Sequence, residues 1–325
     1  MGPRTRTYLL VALAAAGAAG LVVATVAFTR TSTGGRVAAS TQATPSARGR
    51  APALVLDLGV RTDPEAAALR RANRLYAAGK RAAAGRIFAR YSSVQAQVGA
   101  AVAAWPSGTV TRLERLADRH PTSAVVLLHL GLAEIASGRA RAAQAAWRQA
   151  LARDPNTQPA LQAESLLYPR YVPGRPPFVP SFSVPASISR VSAPRQLAAF
   201  ARAAEGGVRA KLMYGSALQR LGRPFSAERE FAAAAKVAPD DAEAQTAAAV
   251  GLFSKARPAV AFSRLGPLAP RFPRSQTVRF HLGELLVWIG ELDKARQEFR
   301  LARAAGPHTP LGKTANEFLA RLRAK

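Results

Sequence analysis

Cysteine is absent from this 325-residue chain, and histidine occurs only four times. Without cysteine there can be no disulfide bond, thiolate metal site, cysteine nucleophile or lipidated N-terminal cysteine. The histidines, His120, His129, His281 and His308, show no metal-ligand spacing such as HExxH. No cofactor and no metal are therefore expected, and the sequence predicts that the protein is not an enzyme.

Aromatic and acidic residues are also scarce. Aromatic residues make up 7% of the chain, and 19 Asp and Glu stand against 46 Lys and Arg, which gives a formal net charge of +27. This excess suits a nucleic acid, an anionic lipid surface or an acidic polymer as a partner; the alternative is a compositional bias with solvated arginines. Alanine supplies much of the 49% hydrophobic content, which favours helices over sheets.

The N-terminal region predicts a membrane anchor. Residues 8–28 form an uncharged run of 21 residues, about 31 Å long as a helix, which matches a hydrocarbon core of ~30 Å. A short basic tail, residues 1–7, precedes the run as in a secretory signal, but the run is longer than a cleavable signal needs. We expect an uncleaved signal-anchor, a flexible linker over residues 29–52, and a C-terminal domain on the extracytoplasmic side of a bacterial-type plasma membrane.

The stretch 124–157 has small and large residues where a helical hairpin needs them in order to stack on a copy of itself. Gly131 and Ala143 allow two helices to approach closely, and Trp147 fills the space towards the next hairpin. Pro155 follows the second helix, which it cannot continue. Read as a 34-residue unit, this stretch resembles the tetratricopeptide repeat.

The same pattern recurs along the chain. Clear copies cover residues 208–241 and 276–309. Four degenerate copies are predicted, over residues 65–91, 92–123, 158–207 and 242–275. The third of these carries a proline-rich insert over residues 168–193, and residues 310–325 are predicted to form a helix that caps the last hairpin. The predicted fold class is all-α: an α-solenoid of stacked, tetratricopeptide-like hairpins over residues 53–325, with one N-terminal transmembrane helix.

The resemblance implies a concave groove lined by the first helix of each hairpin. On the family's pattern, the candidate groove residues for binding a partner are Leu128, Leu132, Ile135, Arg209, Gln219, Arg220, Phe253, Phe280, Glu284 and Trp288. An apolar floor suits an amphipathic helix or an extended peptide. The alternative is that neighbouring hairpins or the proline-rich insert cover these residues. If one place receives a peptide, or receives the insert, we expect it near Leu128, Leu132 and Ile135.

Two features admit more than one interpretation. His129 and His281 both stand at place 6 of their copies, which either puts them on similar surfaces of the stack or reflects two chance polar residues. In the insert, arginines interleave with aromatic residues. This insert could stack on single-stranded nucleic acid, act as a polyproline ligand, or lie back on its own repeats with its rings docked.

The predicted function is a membrane-tethered scaffold for protein–protein interaction that binds a protein or peptide partner in its groove and catalyses no reaction. The alternative is a binder of an anionic polymer, either nucleic acid or an acidic cell-envelope polymer, that uses the strongly basic surface. The oligomeric state is left open.

Overall fold

The computed structural model describes residues 50–323, and in this range all regular secondary structure is helical. The described residues fall into two compact units, unit A over residues 50–167 and unit B over residues 168–323. Both units consist of helical hairpins that pack on their neighbours in chain order. The predicted all-α fold of tetratricopeptide-like hairpins is confirmed at this level. The predicted tail, anchor and most of the linker, residues 1–49, lie outside the described residues.

Unit A contains three hairpins and a following single helix. The helices are α1 (Pro64–Ala77), α2 (Arg81–Phe88), α3 (Val94–Ala103), α4 (Thr109–Arg119), α5 (Ala124–Ala136), α6 (Ala140–Arg153) and α7 (Gln158–Leu167). Helix α1 begins where the sequence predicts, since Asp63 accepts the Ala66 N–H at 2.9 Å and Pro64 occupies the first turn. A non-helical segment, residues 50–58, precedes α1.

Unit B opens with the insert, most of which is non-helical. Its helices are α8 (Ala186–Ser189), α9 (Ala193–Ala203), α10 (Val208–Arg220), α11 (Pro224–Val237), α12 (Ala242–Gly251), α13 (Ala259–Leu265), α14 (Leu268–Arg271), α15 (Gln276–Ile289), α16 (Leu292–Ala305) and α17 (Pro310–Arg323). Helix α17 buries its apolar side, with Leu311, Phe318 and Leu322 each at most 3% exposed. It thereby covers the end of the last hairpin, α15 and α16.

Close approach of the two helices in a hairpin depends on glycine. A Cβ atom on Gly131 would lie 2.3 Å from the Trp147 Nε1 and 2.9 Å from the Ala143 carbonyl oxygen. A Cβ atom on Gly215 would lie 2.4 Å from the Phe231 ring. Trp147 and Phe231 therefore fill the space that glycine leaves within their own hairpins. Trp147 also belongs to an apolar cluster that reaches the following helix, α7.

The predicted localisation requires correction. Within residues 50–323, no helix is long and apolar enough to cross a bilayer. The longest helices there have 14 residues, about 21 Å at ~1.5 Å per residue, which falls short of a hydrocarbon core of ~30 Å. On this finding the prediction of a single-pass plasma-membrane protein is wrong. The segment on which it depended, residues 8–28, lies outside the described residues.

Candidate functional site

In unit A, the first helices of two consecutive hairpins hold the segment that precedes α1. We call the surface of α3 and α5 groove A, and residues 52–58 segment A. The backbone N–H of Val55 donates to Nε2 of His129 on α5 at 3.0 Å, and the N–H of Asp57 donates to the side-chain oxygen of Gln95 on α3 at 3.0 Å. Val55 packs into the apolar cluster that contains Leu128 and Leu132. Groove A is therefore filled by the chain itself.

His129 is held as a neutral acceptor by its own helix. Its Nδ1–H donates to the Val125 carbonyl at 2.6 Å, one turn earlier on α5, which leaves Nε2 free to accept the Val55 N–H. Because the ring is fully buried, desolvation lowers the pKa of His129 to about 4, although the hydrogen bond to Val125 opposes this shift. Near neutral pH the imidazole therefore carries no charge and accepts a main-chain N–H.

In unit B, the proline-rich insert occupies the corresponding surface. We call the surface of α10, α12 and α15 groove B, and residues 176–182 segment B. The N–H of Val179 donates to Nε2 of His281 on α15 at 2.9 Å, and the N–H of Phe178 donates to the Gln219 side-chain oxygen at 2.8 Å. Ser181 donates from both its N–H and its hydroxyl to the two carboxylate oxygens of Glu243, at 2.5 and 2.9 Å.

Phe178 anchors segment B. Its ring is 2% exposed, stacks on the His281 imidazole with 5.0 Å between ring centroids, and meets Phe231 edge-on at 5.3 Å. The His281 ring is fixed as in groove A: its Nδ1–H donates to the Thr277 carbonyl at 2.8 Å, and burial lowers its pKa to about 4. Burial also raises the pKa of Glu243, against the effect of its hydrogen bonds from Ser181.

The two grooves use equivalent positions. His129 is the sixth residue of α5 and His281 the sixth residue of α15. Gln95 and Glu243 are each the second residue of the first helix in the preceding hairpin. In both units the histidine accepts the N–H of one segment residue, and the earlier helix accepts the N–H two residues further on. The shared place of the two histidines in the repeat therefore does correspond to a shared structural role.

The sequence-predicted groove residues occupy different environments. Leu128 and Leu132 are fully buried, with Ile135 half-buried beside them in the cluster that receives Val55. In unit B, Phe253 and Phe280 are buried in the cluster that contains Phe178, and Gln219 binds segment B directly. The insert thus lies in groove B, whereas segment A is the part of the chain that reaches Leu128.

The remaining four predicted residues are two exposed arginines and two buried polar groups. Arg209 and Arg220 are exposed, and the Arg209 guanidinium lies 4.8 Å from the Phe182 ring centroid. Glu284 and Trp288 are 2% and 3% exposed; among the described residues, Glu284 Oε2 and Trp288 Nε1 have no hydrogen-bond partner. Burial raises the pKa of Glu284 well above its usual range. That these ten residues bind a partner stays a prediction.

Apart from Gln219, sequence reasoning did not choose the groups that hydrogen-bond the two segments. His129 and His281 were noted but not chosen as site residues. The family's pattern placed Glu243 on the groove face, but Glu243 was not kept among the candidates, and Gln95 was not considered. The signal that identifies them is positional: a polar side chain recurs at the same place in the first helices of two repeats. In the described part of the chain, no group of three or more His, Asp or Glu residues could hold a metal ion.

No protein-family model matches the chain, and no curated protein matches it. Among solved structures, it is similar to yeast Tom70, with 13% identity over 83% of this chain and 51% of that chain and a TM-score of 0.36. It is also similar to a tetratricopeptide repeat protein from Parabacteroides merdae (15% identity, 80% of this chain, 98% of that chain, TM-score 0.33). A third is the TPR2AB domain of yeast Sti1 in its complex with pHSP90, with 13% identity over 80% of this chain and 98% of that chain and a TM-score of 0.30.

The chain spans about half the length of the Tom70 chain. At these identities and TM-scores, the similarities say nothing about what this protein binds. Its hairpin fold is established by the helix packing described above.

Proposed function

We propose that this protein is a non-catalytic scaffold for protein–protein interaction, and that each unit binds a peptide segment of a partner in the groove formed by its first helices. The observation that carries the proposal is the pair of buried histidines. His129 and His281 each accept a backbone N–H from a non-helical segment. Such a bond binds the main chain of a peptide, as the hydrogen bonds of an added strand do at a sheet edge. Apolar pockets beside the bond then provide specificity for side chains.

The geometry suits binding more than chemistry. Each imidazole has both nitrogens engaged and a pKa near 4, so neither ring is available as a general base of matched pKa. The apolar residues beside them, Leu128 in groove A and Phe280 in groove B, supply burial for a bound side chain.

Selection from a random peptide library on the immobilised full chain tests the proposal. Selected peptides should bind the His129→Phe, His281→Phe double variant at least tenfold more weakly than wild type, because each Phe leaves a buried N–H of the peptide without its acceptor. His129→Gln and His281→Gln keep an acceptor oxygen and should retain more of the affinity. His308→Asn, at an exposed position, is the matched control.

Salt dependence separates this function from the binding of an anionic polymer. Groove binding should hardly change between about 50 and about 200 mM salt, whereas phosphate contacts lose affinity steeply over that range. If no peptide prefers the wild-type chain to the His129→Phe, His281→Phe double variant, the grooves are not peptide-binding sites.

A further inference from the structure

The two bound segments share a sequence pattern. When Val55 is aligned with Val179, a proline precedes it by three positions in both segments, Pro52 and Pro176. The residue just before the valine is large and apolar, Leu54 or Phe178. Two positions after the valine stands Asp57 or Ser181, and next comes Leu58 or Phe182. Both segments therefore read Pro-x-(Leu/Phe)-Val-x-(Asp/Ser)-(Leu/Phe).

The first five positions of the two segments are buried in the same order. From the proline onward, both segments run buried, half-buried, buried, buried, half-buried. The large residue and the valine are at most 8% exposed in each segment. The valine donates to a histidine, and the residue two positions later donates to Gln95 or Glu243. Residue type, hydrogen bonding and the burial of the first five positions thus agree across two separate grooves. At the last two positions, Asp57 is half-buried where Ser181 is exposed, and Leu58 is buried where Phe182 is half-buried.

Chain connectivity does not explain this agreement. Segment A precedes the first hairpin of its unit and binds the second and third hairpins. Segment B follows α7, is connected onward to α8, and binds helices of three hairpins further along. The stretches that join the segments to their grooves differ in length: Val55 and His129 are 74 positions apart, and Val179 and His281 are 102 positions apart. What recurs is the segment and its site.

The acceptors are in place before a segment arrives. Each histidine is oriented by a carbonyl of its own helix, Val125 in groove A and Thr277 in groove B. Departure of the segment leaves this bond intact, so the ring still presents Nε2 to another peptide. A segment from another protein that offers the same N–H groups and side chains meets a prebuilt site, in competition with a tethered occupant of high effective concentration.

We propose that grooves A and B are two copies of one site for a non-helical segment of the pattern Pro-x-(Leu/Phe)-Val-x-(Asp/Ser)-(Leu/Phe), and that a partner protein supplies such a segment in exchange for segment A or segment B. This ligand class rests on the proposed scaffold function. The large apolar residue fills the pocket that Phe178 occupies against Phe231, and the valine presents its N–H to histidine. The Asp or Ser position donates its backbone N–H in both grooves, and in groove B the Ser181 hydroxyl also donates to Glu243.

Opening one groove in the full chain provides the test. Val179→Pro removes the N–H that His281 accepts, and Val55→Pro does the same opposite His129. Leu56→Pro is the matched control, because Pro180 stands at the equivalent position of segment B. The probes are synthetic peptides of residues 51–60 and 175–184 with a fluorescent label. Circular dichroism verifies that each variant is folded.

Both peptides should bind Val179→Pro and Val55→Pro more tightly than wild type, by about tenfold or more, because the tethered competitor has lost its hydrogen bond to histidine; tenfold corresponds to about 1.4 kcal/mol. They should compete with each other, and Leu56→Pro should behave as wild type. Adding His281→Phe to Val179→Pro should abolish the gain. A peptide with proline in place of its valine should not bind. Sedimentation should show that the peptide-bound protein is monomeric.

Two results would overturn the proposal. One is a folded Val179→Pro chain that binds neither peptide. If peptides of other patterns, selected from the library, still need His129 and His281 for binding, then the sequence pattern is wrong while the scaffold function stands. The other is a dimer in which the segments are exchanged between copies and the peptides merely dissociate it, because the occupant is then a second copy of this chain.

Discussion

Replacement of Phe178 by alanine should release segment B from groove B. The ring is 2% exposed and lies against both His281 and Phe231. Truncation of a buried phenylalanine costs about 3–5 kcal/mol, and we take the lower figure because a loop can relax more freely than a core. The equilibrium for local opening of the segment should then rise by roughly 100-fold.

Amide hydrogen exchange at Val179 measures this opening, because its N–H is buried against His281. The rate at Val179 should rise by roughly 100-fold in Phe178→Ala, in line with the lower cost of such a truncation. The exchange of Val55, in unit A, should not change.

Phe182→Ala is the matched control for this prediction. The Phe182 ring is half-buried and has the exposed Arg209 guanidinium 4.8 Å from its centroid. A cation–π contact at an exposed site is worth only ~0.5–1 kcal/mol, so the Val179 rate should rise less than about tenfold. If Phe178→Ala leaves that rate within a few-fold of wild type while unit B stays folded, Phe178 does not anchor the segment.

Two further predictions concern stability. Burial lowers the pKa of His129 and His281 from the ordinary value of 6.5 to about 4. The unfolded chain therefore binds more protons between these values, and stability falls as the pH drops. Linkage gives a loss of about 2 kcal/mol in the free energy of unfolding per histidine between about pH 7 and about pH 5. Urea unfolding at both pH values should show this loss, and the loss should be smaller in His129→Gln. An equal loss in that variant would show that His129 is not its source. Gly131→Ala should destabilise unit A by about 1–3 kcal/mol because its Cβ would lie 2.3 Å from the Trp147 indole. Gly85→Ala, whose Cβ would meet Ala103 at an ordinary 3.5 Å, should instead stabilise the protein by about 0.5–1 kcal/mol; thermal unfolding compares the two, and equal effects would refute the close-approach role of Gly131.

The hairpins were predictable because their packing imposes a local rule. A glycine such as Gly215 faces a large ring such as Phe231 at a fixed spacing, and this spacing recurs in the sequence. The occupied grooves were not predictable in the same way. The bond between Val179 and His281 joins residues 102 positions apart, in a segment without helical periodicity. The sequence left open that the insert lies on its own repeats, and comparison of residues 52–58 with residues 176–182 could have indicated that a second segment is bound in the same way.

The predicted groove residues illustrate the same difference. Leu128 and Leu132 were expected to face a groove, and they do pack on a non-helical segment, but that segment is residues 52–58 of the chain itself. Periodicity places a residue on a face of a helix. It does not say what covers that face, because the covering segment is selected by side-chain fit and by hydrogen bonds formed only after the chain has folded.

The most direct test of the account is a nitrogen–nitrogen scalar coupling across the hydrogen bond, measured by NMR on the isotope-labelled full chain. We expect a coupling between the Val55 amide nitrogen and His129 Nε2, and a second one between the Val179 amide nitrogen and His281 Nε2. Both should disappear in the corresponding Val→Pro variants. Histidines protonated on Nε2 with no coupling to either valine would contradict the claim that the two grooves hold peptide segments through their main chain.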